Sequence, residues 1–320
     1  MNILILGGVG FLGSNLVRYC LRQGCTNLLV VDCEKPQLRG RASPLGEMWE
    51  SVRFIQGDIR DRALLSEVVR DCEIIFNCAA QTSHTLSLID PLFDADVNCL
   101  GNLTLLEAVR EYNRSAVTVY PSSSTVIGRA SGEIVDEMHN DRPLDIYSAN
   151  KSAAEKYYYI YNKVHGLKTV ILRFPNLYGP YGKDSPDFGF VNYFINLARE
   201  GKDLTVYGSG TQRRNLLFVE DAVEVMYQSA FNERLFGEIY FVAHDEHPSV
   251  LEIAERIVSV FDKGRVVNVE WPDTRRRIEI ASVLISSTRF REVTGWIPKF
   301  TFEEGLKTTW QIMQGEYSSE

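Results

Sequence analysis

At 320 residues, with 45% hydrophobic and 24% charged residues, the chain has the composition of an ordinary globular protein, long enough to bury one large core or two joined ones. Its net charge of -8 excludes the broad basic face that nucleic-acid binding needs, yet leaves room for a few local arginines around a small anion. No stretch is apolar for long enough to span a bilayer, and Met1-Asn2-Ile3-Leu4-Ile5-Leu6-Gly7 lacks the basic start and the length of a secretory leader, so a cytoplasmic location and no membrane partner are expected.

The first predicted strand, Ile3–Leu6, runs into Gly7-Gly8-Val9-Gly10-Phe11-Leu12-Gly13 and then a helix over Leu12–Gln23. Glycines at 7, 10 and 13 suit a tight turn, close backbone approach to a pyrophosphate and helix–sheet packing, with Phe11 and Leu12 at the helix start beside the anion. The next strand, Leu28–Val31, ends at Asp32, where the dinucleotide fingerprint requires an acidic residue. A carboxylate there accepts from ribose hydroxyls and repels a 2′-phosphate, which favours NAD over NADP.

Further strands are expected at Val52–Ile55, Ile74–Asn77, Val117–Tyr120 and Thr169–Phe174, alternating with helices at Arg62–Val69, Asp94–Tyr112 and Tyr147–His165. This alternation predicts an α/β fold with a doubly wound parallel sheet, Rossmann-like, with right-handed crossovers. Asp58 and Ile59 follow the third strand and are placed at the adenine; Ala79 and Ala80 follow the fourth, where small residues let the cofactor lie close; Asn98 is a further cofactor candidate. The domain expectation is 1-175 for the cofactor half with the catalytic residues, 176-314 mainly for a smaller substrate lid with a possible crossover of the chain, and 315-320 for a tail. Helices are expected in the second part at Phe190–Glu200, Val219–Phe231 and Val250–Phe261.

Tyr147 and Lys151 lie four residues apart on one helix face, next to a predicted strand end carrying Pro121-Ser122-Ser123-Ser124-Thr125. A phenol is a poor base at neutral pH unless a neighbouring ammonium and a positive nicotinamide favour the phenolate. A strand-end serine could share the hydrogen bond to the reacting hydroxyl. The cysteines (Cys20, Cys25, Cys33, Cys72, Cys78, Cys99) include no CxxC pair, and the histidines have no ligand spacing, so neither disulfides nor a metal are expected.

The glycine loop, the serine run, Tyr147-Ser148-Ala149-Asn150-Lys151 and Leu172-Arg173-Phe174-Pro175-Asn176-Leu177-Tyr178-Gly179-Pro180 together resemble the extended short-chain dehydrogenase/reductase family, and within it the nucleotide-sugar epimerases and dehydratases. The resemblance selects Ser123 as the catalytic serine, three residues before Val126, beside Tyr147 and Lys151. It departs at Ile127, where the family usually has Tyr. It implies that Thr82, Ser123, Ser124, Tyr147, Asn176, Asn192, Arg214 and Arg276 meet the substrate, the two arginines anchoring its diphosphate, although Asn215 replaces the usual Asp after Arg214. Gln81 to Thr85 should edge the sugar pocket; a lone His84 there is expected to be a packed or hydrogen-bonded loop residue, with a proton-carrying role as the lesser reading.

Dehydratases of this family usually carry Asp-Glu immediately after the catalytic Ser or Thr. Here Ser124 and Thr125 stand there, so the resemblance implies a nucleotide-sugar epimerase, acting at sugar C4, with NAD reduced and reoxidised in each cycle. Gln81 to Asn113 also looks like CDP-tyvelose 2-epimerases; a 4,6-dehydratase or reductase, and a non-catalytic dinucleotide sensor, are the other readings. Tyr157, Tyr158, Tyr159 and Tyr161 give the helix an aromatic surface that, by the same resemblance, pairs in a homodimer.

Overall fold

Short aliphatic runs buried on both faces make the central strands of this computed structural model, which describes residues 1–33, 46–130, 134–271 and 282–315. In chain order they are β1 (Asn2–Leu6), β2 (Asn27–Asp32), β3 (Arg53–Gln56), β4 (Ile74–Asn77), β5 (Val117–Ser123), β6 (Ile134–Val135) and β7 (Lys168–Phe174). There follow β8 (Asn176–Tyr178), β9 (Asp203–Tyr207), β10 (Leu216–Phe218), β11 (Ile239–Phe241), β12 (Arg265–Val269) and β13 (Leu284–Ile285). The helices begin with α1 (Phe11–Arg22), α2 (Arg62–Val68), α3 (His84–Ile89), α4 (Pro91–Ala95) and α5 (Gly101–Tyr112). They continue with α6 (Ile146–His165), α7 (Phe190–Arg199), α8 (Val219–Ser229) and α9 (Val250–Phe261), then Thr288–Thr294 and Phe302–Gln314.

Seven strands form one parallel sheet in the order β11-β7-β5-β4-β1-β2-β3. This is the doubly wound α/β sheet expected from the alternation. Its order reverses between β1 and β4, and the crevice beyond the carboxyl ends of such a pair is where open α/β sheets take ligands. Strand alternation splits the core in two: Ile3, Ile5, Val30 and Phe76 face one layer, Leu4, Leu6, Val31 and Ile75 the other.

Two segments differ from expectation in ways that shape the site. The stretch 84–95 winds into two short helices, each with its own cap: Ser83 Oγ accepts from Leu86 N at 3.0 Å, and Asp90 Oδ1 from Phe93 N at 3.0 Å. The helix expected over Asp94–Tyr112 is interrupted by a π-helical turn, Asp96–Leu100. That turn points Asn98 inward, its Nδ2 donating to the Gln81 carbonyl at 2.9 Å, and Asn102 Nδ2 donates back to the Asn98 carbonyl at 2.7 Å.

β5 runs three residues past Tyr120, held in register by β7 through Pro121↔Leu172 and Ser123↔Phe174. The later chain crosses back: β11 joins β7, and α8 packs on α1. The remaining strands form three two-stranded parallel ribbons, β8·β10, β9·β12 and β6·β13. The partners of these strands lie tens of residues away, so nothing local in the sequence announces the pairing.

A buried ion network fastens α6 to the sheet. Arg173 Nε donates to Glu155 Oε1 at 2.8 Å, and Arg173 Nη2 to Asp141 Oδ1 at 2.8 Å; Asp141 Oδ2 also accepts from Ser152 and Lys156. Glu155 is fully buried, so removing its cation strands a charge in a medium of low polarity. Arg173→Met should therefore lower stability by about 3–5 kcal/mol in urea unfolding, and adding Glu155→Gln should recover part of that loss.

Candidate active site

The β1–α1 turn is made by close approach. Gly7 has φ 75°, and a Cβ there would lie 2.6 Å from the Ala79 nitrogen; a Cβ on Gly13 would lie 2.2 Å from the Gly7 carbonyl oxygen. Neither position tolerates a side chain, and the turn stays pressed against the end of β4. Gly10 precedes α1 without any side-chain cap, so the first amides of a twelve-residue helix, at Phe11, Leu12 and Gly13, point outward with the positive end of its dipole. Asp32, buried at the end of β2, accepts from the Val9 amide at 2.9 Å, so the acidic residue and the glycine turn form one unit. This cradle fits a pyrophosphate with a ribose beside it.

The other cofactor candidates lie along the same crevice. Asp58 is clasped by Arg60, whose Nε and Nη2 each donate at 2.9 Å, and this holds its carboxyl below the ordinary range. Ile59 is buried, and a Cβ on Gly101 would lie 2.8 Å from its Cγ2. Ala79 and Ala80 are half-buried after β4. Asn98 is fully buried and its Oδ1 has no partner, an acceptor that a polar ligand group would satisfy. The residues present fit a dinucleotide.

Ser123, Tyr147 and Lys151 are brought together by the fit of α6 on the end of β5. Lys151 is buried, its Nζ donates to the Pro121 carbonyl at 2.8 Å, and it sits 4.2 Å from the centre of the Tyr120 ring. Burial lowers the ammonium to about 8. Tyr147 is 9% exposed; burial, then the Asp145 and Asp94 carboxylates, push its phenol well above the ordinary range, and only the hydrogen bond with Ser123 pulls the other way. The protein's own charges thus oppose the phenolate more than the four-residue spacing to Lys151 suggested.

Ser123 is oriented by a chain of hydroxyls. Ser148 Oγ donates to Thr125 Oγ1 at 2.8 Å, and Thr125 Oγ1 lies 2.9 Å from Ser123 Oγ, which also accepts from the Thr125 amide. Thr125 Oγ1 thus ties Ser123 to Ser148, and Ser123 is in turn hydrogen-bonded to the Tyr147 phenol. Ser124 is half-buried beside it, while Ile127 is turned away into a small core with Val126, Val135, Phe241 and Ile285. The departure from the usual Tyr at Ile127 therefore sits in packing.

The substrate candidates are more scattered. Thr82 is exposed beyond β4. Asn176 Nδ2 donates to the Asn215 carbonyl at 3.3 Å. Asn192 is buried and its Oδ1 accepts from the Gly179 amide at 3.0 Å, so it shapes the loop after β8. Arg214 Nη1 donates to the Arg213 carbonyl at 2.9 Å. Asn215, in place of an Asp, bridges backbone instead: its Oδ1 accepts from Ile285 N at 2.8 Å and its Nδ2 donates to the His244 carbonyl at 3.3 Å. Arg276 lies outside the described residues.

Two carboxylates near Tyr147 were not singled out in sequence. Asp145 caps α6, its Oδ1 accepting from Ser148 N at 2.8 Å, and its Oδ2 lies 2.8 Å from His84 Nδ1. Asp94, fully buried on α4, accepts from Gln81 Nε2 at 2.6 Å and Asn150 Nδ2 at 2.7 Å. Only the cap signal, an Asp one residue before the helix, was there to be read. Among the described residues no cluster of three or more His, Cys, Asp or Glu is arranged to hold a metal, and no helix is long and apolar enough to cross a membrane.

Residues 3–243 match the family model described as the NAD dependent epimerase/dehydratase family. A CDP-paratose 2-epimerase of Salmonella typhi is 28% identical, covering 96% of this chain and 97% of its own. A UDP-glucose 4-epimerase of Thermus thermophilus, solved with NAD, is 29% identical with a TM-score of 0.86, covering 99% of this chain and 100% of that one. A dTDP-glucose 4,6-dehydratase of Bacillus anthracis, also solved with NAD, is 28% identical with a TM-score of 0.84, covering 98% and 97%. A glycine cradle joined to Asp32, a strand-end serine and a buried tyrosine–lysine pair agree with that match: the chain belongs to the NAD-dependent epimerase/dehydratase family, and its cofactor is NAD.

Proposed function

We propose that the protein is a nucleotide-sugar epimerase that inverts a sugar hydroxyl at C4 through a transient keto-sugar. The observation that carries this reading is the convergence of Ser123 and Tyr147 at the end of β5 with Ser124 and Thr125, in place of carboxylic acids, immediately after Ser123. Thr125 is committed to holding Ser123, and no carboxyl acid stands at either position to expel a neighbouring hydroxyl. Without that elimination, the keto-sugar turns and is reduced on its other face.

Bound NAD would supply the reversible hydride acceptor that this chemistry needs. The amides of Phe11, Leu12 and Gly13 receive the pyrophosphate, Asp32 the ribose, Asp58 and Ile59 the adenine, and Asn98 a further polar group of the cofactor. Tyr147 removes the proton of the sugar hydroxyl at its phenol oxygen and later returns it. Ser123 donates to the same oxygen, so that the developing charge is shared. Lys151 is fixed on the Pro121 carbonyl one helical turn beyond Tyr147, whose phenol burial and two carboxylates hold protonated until the positive nicotinamide is beside it. Residues 176–314 supply most of the substrate side, with Asn176, Asn192, Arg214 and Arg276 around the diphosphate and Thr82 and Ser124 at the sugar.

Inversion at C2 is the second reading, favoured by the likeness of residues 81–113 to CDP-tyvelose 2-epimerases. The two are separated by incubating the protein with a panel of UDP-, dTDP-, GDP- and CDP-sugars in deuterated water and reading the products by NMR. Inversion at C4 without solvent deuterium is the expected outcome, and deuterium at C3 or C5 would replace hydride return by enolisation.

Lys151→Met should reduce turnover at least about a hundredfold. Because its ammonium is depressed to about 8 from 10.5, the folded chain binds fewer protons than the unfolded one between those values. Burial of Lys151 therefore costs stability below about pH 8, and the cost fades as pH rises through that window. The same variant should accordingly gain about 1–2 kcal/mol in urea unfolding at pH 7, and the gain should shrink by pH 10.5.

A second copy of the chain is proposed to cover the α5–α6 face, where Leu100, Ile160 and Val164 are 56%, 45% and 69% exposed beside Tyr159. Of the other tyrosines, Tyr158 is buried against Tyr120 and Tyr161 bonds Glu107, so packing within the subunit takes up part of the aromatic surface. Sedimentation at micromolar concentration should show a dimer, and a stable monomer would rule that interface out.

A further inference from the structure

His84 was expected to be an ordinary loop histidine, but its surroundings tie it to the catalytic tyrosine. It is the first residue of α3, and Ser83 caps that helix, so the imidazole is carried on a fixed backbone. Its Nδ1 lies 2.8 Å from Asp145 Oδ2, and its ring meets the Tyr147 ring edge-on, with centres 4.7 Å apart at 70°. Asp145 cannot swing away, because its other oxygen caps α6 two residues before Tyr147. Imidazole, carboxylate and phenol therefore form a rigid group spanning α3 and α6.

The charges in this group are unequal in their partners. Asp145 is the foremost charge opposing ionisation of the Tyr147 phenol, ahead of Asp94. Asp94 is held by the neutral side chains of Gln81 and Asn150. Asp145 instead faces a group that can itself become a cation. Burial alone would raise the Asp145 carboxyl, and the contact with His84 together with the bonds from Ser148 holds it below its ordinary range. The His84 side chain is 40% exposed and that of Asp145 15%, so a proton can reach the imidazole from solvent while the phenol stays enclosed. From the turn Pro186–Phe188, Asp187 reaches the same helix, bonded by the Thr85 hydroxyl at 3.0 Å. Among the titratable groups of the elements packed around α3, Asp145 and Tyr147 touch His84, Asp94 acts on Tyr147 from α4, and Asp187 bonds the neighbouring Thr85.

We propose that His84 is a positioning residue that sets the readiness of Tyr147 to give up its proton: as an imidazolium it cancels the Asp145 carboxylate, and as a neutral imidazole it leaves that charge standing against the phenolate. The proposal rests on Tyr147 being the base, and it adds a titrating group that neither the glycine turn nor the tyrosine–lysine spacing supplies. No bond is made or broken by His84; it exchanges a proton with solvent, and its effect reaches Tyr147 through space.

The test follows the near-ultraviolet absorbance of the Tyr147 phenolate during pH titration of the NAD-loaded protein, with Tyr147→Phe subtracted to remove the other tyrosines. His84→Gln keeps a hydrogen-bonding side chain but cannot become a cation, and it should move the midpoint up by about one pH unit. Asp145→Asn preserves the helix cap, because Asn caps as well as Asp, and should move it down. The double variant should return to the wild-type midpoint or below, since a cation is not needed once the carboxylate is gone. A midpoint unmoved by His84→Gln, or a double variant no different from that single one, would overturn the proposal and leave His84 as packing. Turnover by Tyr147→Phe equal to wild type would remove the base assignment instead, while leaving the coupling of the three groups measurable.

Discussion

The site depends on one constraint: α6 must lie close enough to the end of β5 for Lys151 to reach the Pro121 carbonyl. An ammonium in that enclosed place is costly, and the carbonyl and the Tyr120 ring beneath it offset part of the cost. Once the helix is seated there, Tyr147 falls one turn away beside Ser123. The Arg173–Glu155 pair, one turn further along α6, fastens the same helix to β7 and leaves it no freedom to roll.

Charge around the phenol is arranged more subtly than a base beside an ammonium. Two carboxylates, Asp145 and Asp94, oppose ionisation, and each also has a structural duty, one as a helix cap and one as the acceptor joining Gln81 to Asn150. Together with burial they hold the Tyr147 phenol protonated. Local stability and the ionisation of Tyr147 are set by the same side chains, and a change at either carboxylate would be felt in both.

The hydroxyl relay from Ser148 through Thr125 to Ser123 gives the absence of an Asp-Glu pair a second meaning. Where the resemblance to dehydratases calls for an acid, Thr125 orients the serine. The difference is in kind of group as well as charge, and the proposed epimerisation rests on it.

The order of strands and helices in the first half was legible because periodicity and turn chemistry are local properties. The glycine turn and Asp32 could be paired by spacing alone, since a strand, a helix and a second strand in sequence bring those ends together. Tyr147 and Lys151 were legible for the same reason, being one helical turn apart. The π-helical turn at Asp96–Leu100 and the ribbons β8·β10, β9·β12 and β6·β13 were not, because they are stabilised by partners distant in sequence. The contact of His84 with Asp145 joins residues 61 apart, and only the packing of α3 on α6 decided it. Sequence by itself determined which chemical groups the chain carries and the class of sheet that displays them; tertiary structure decided which charges face one another, because electrostatic coupling falls with distance through the folded interior, whatever the separation along the chain.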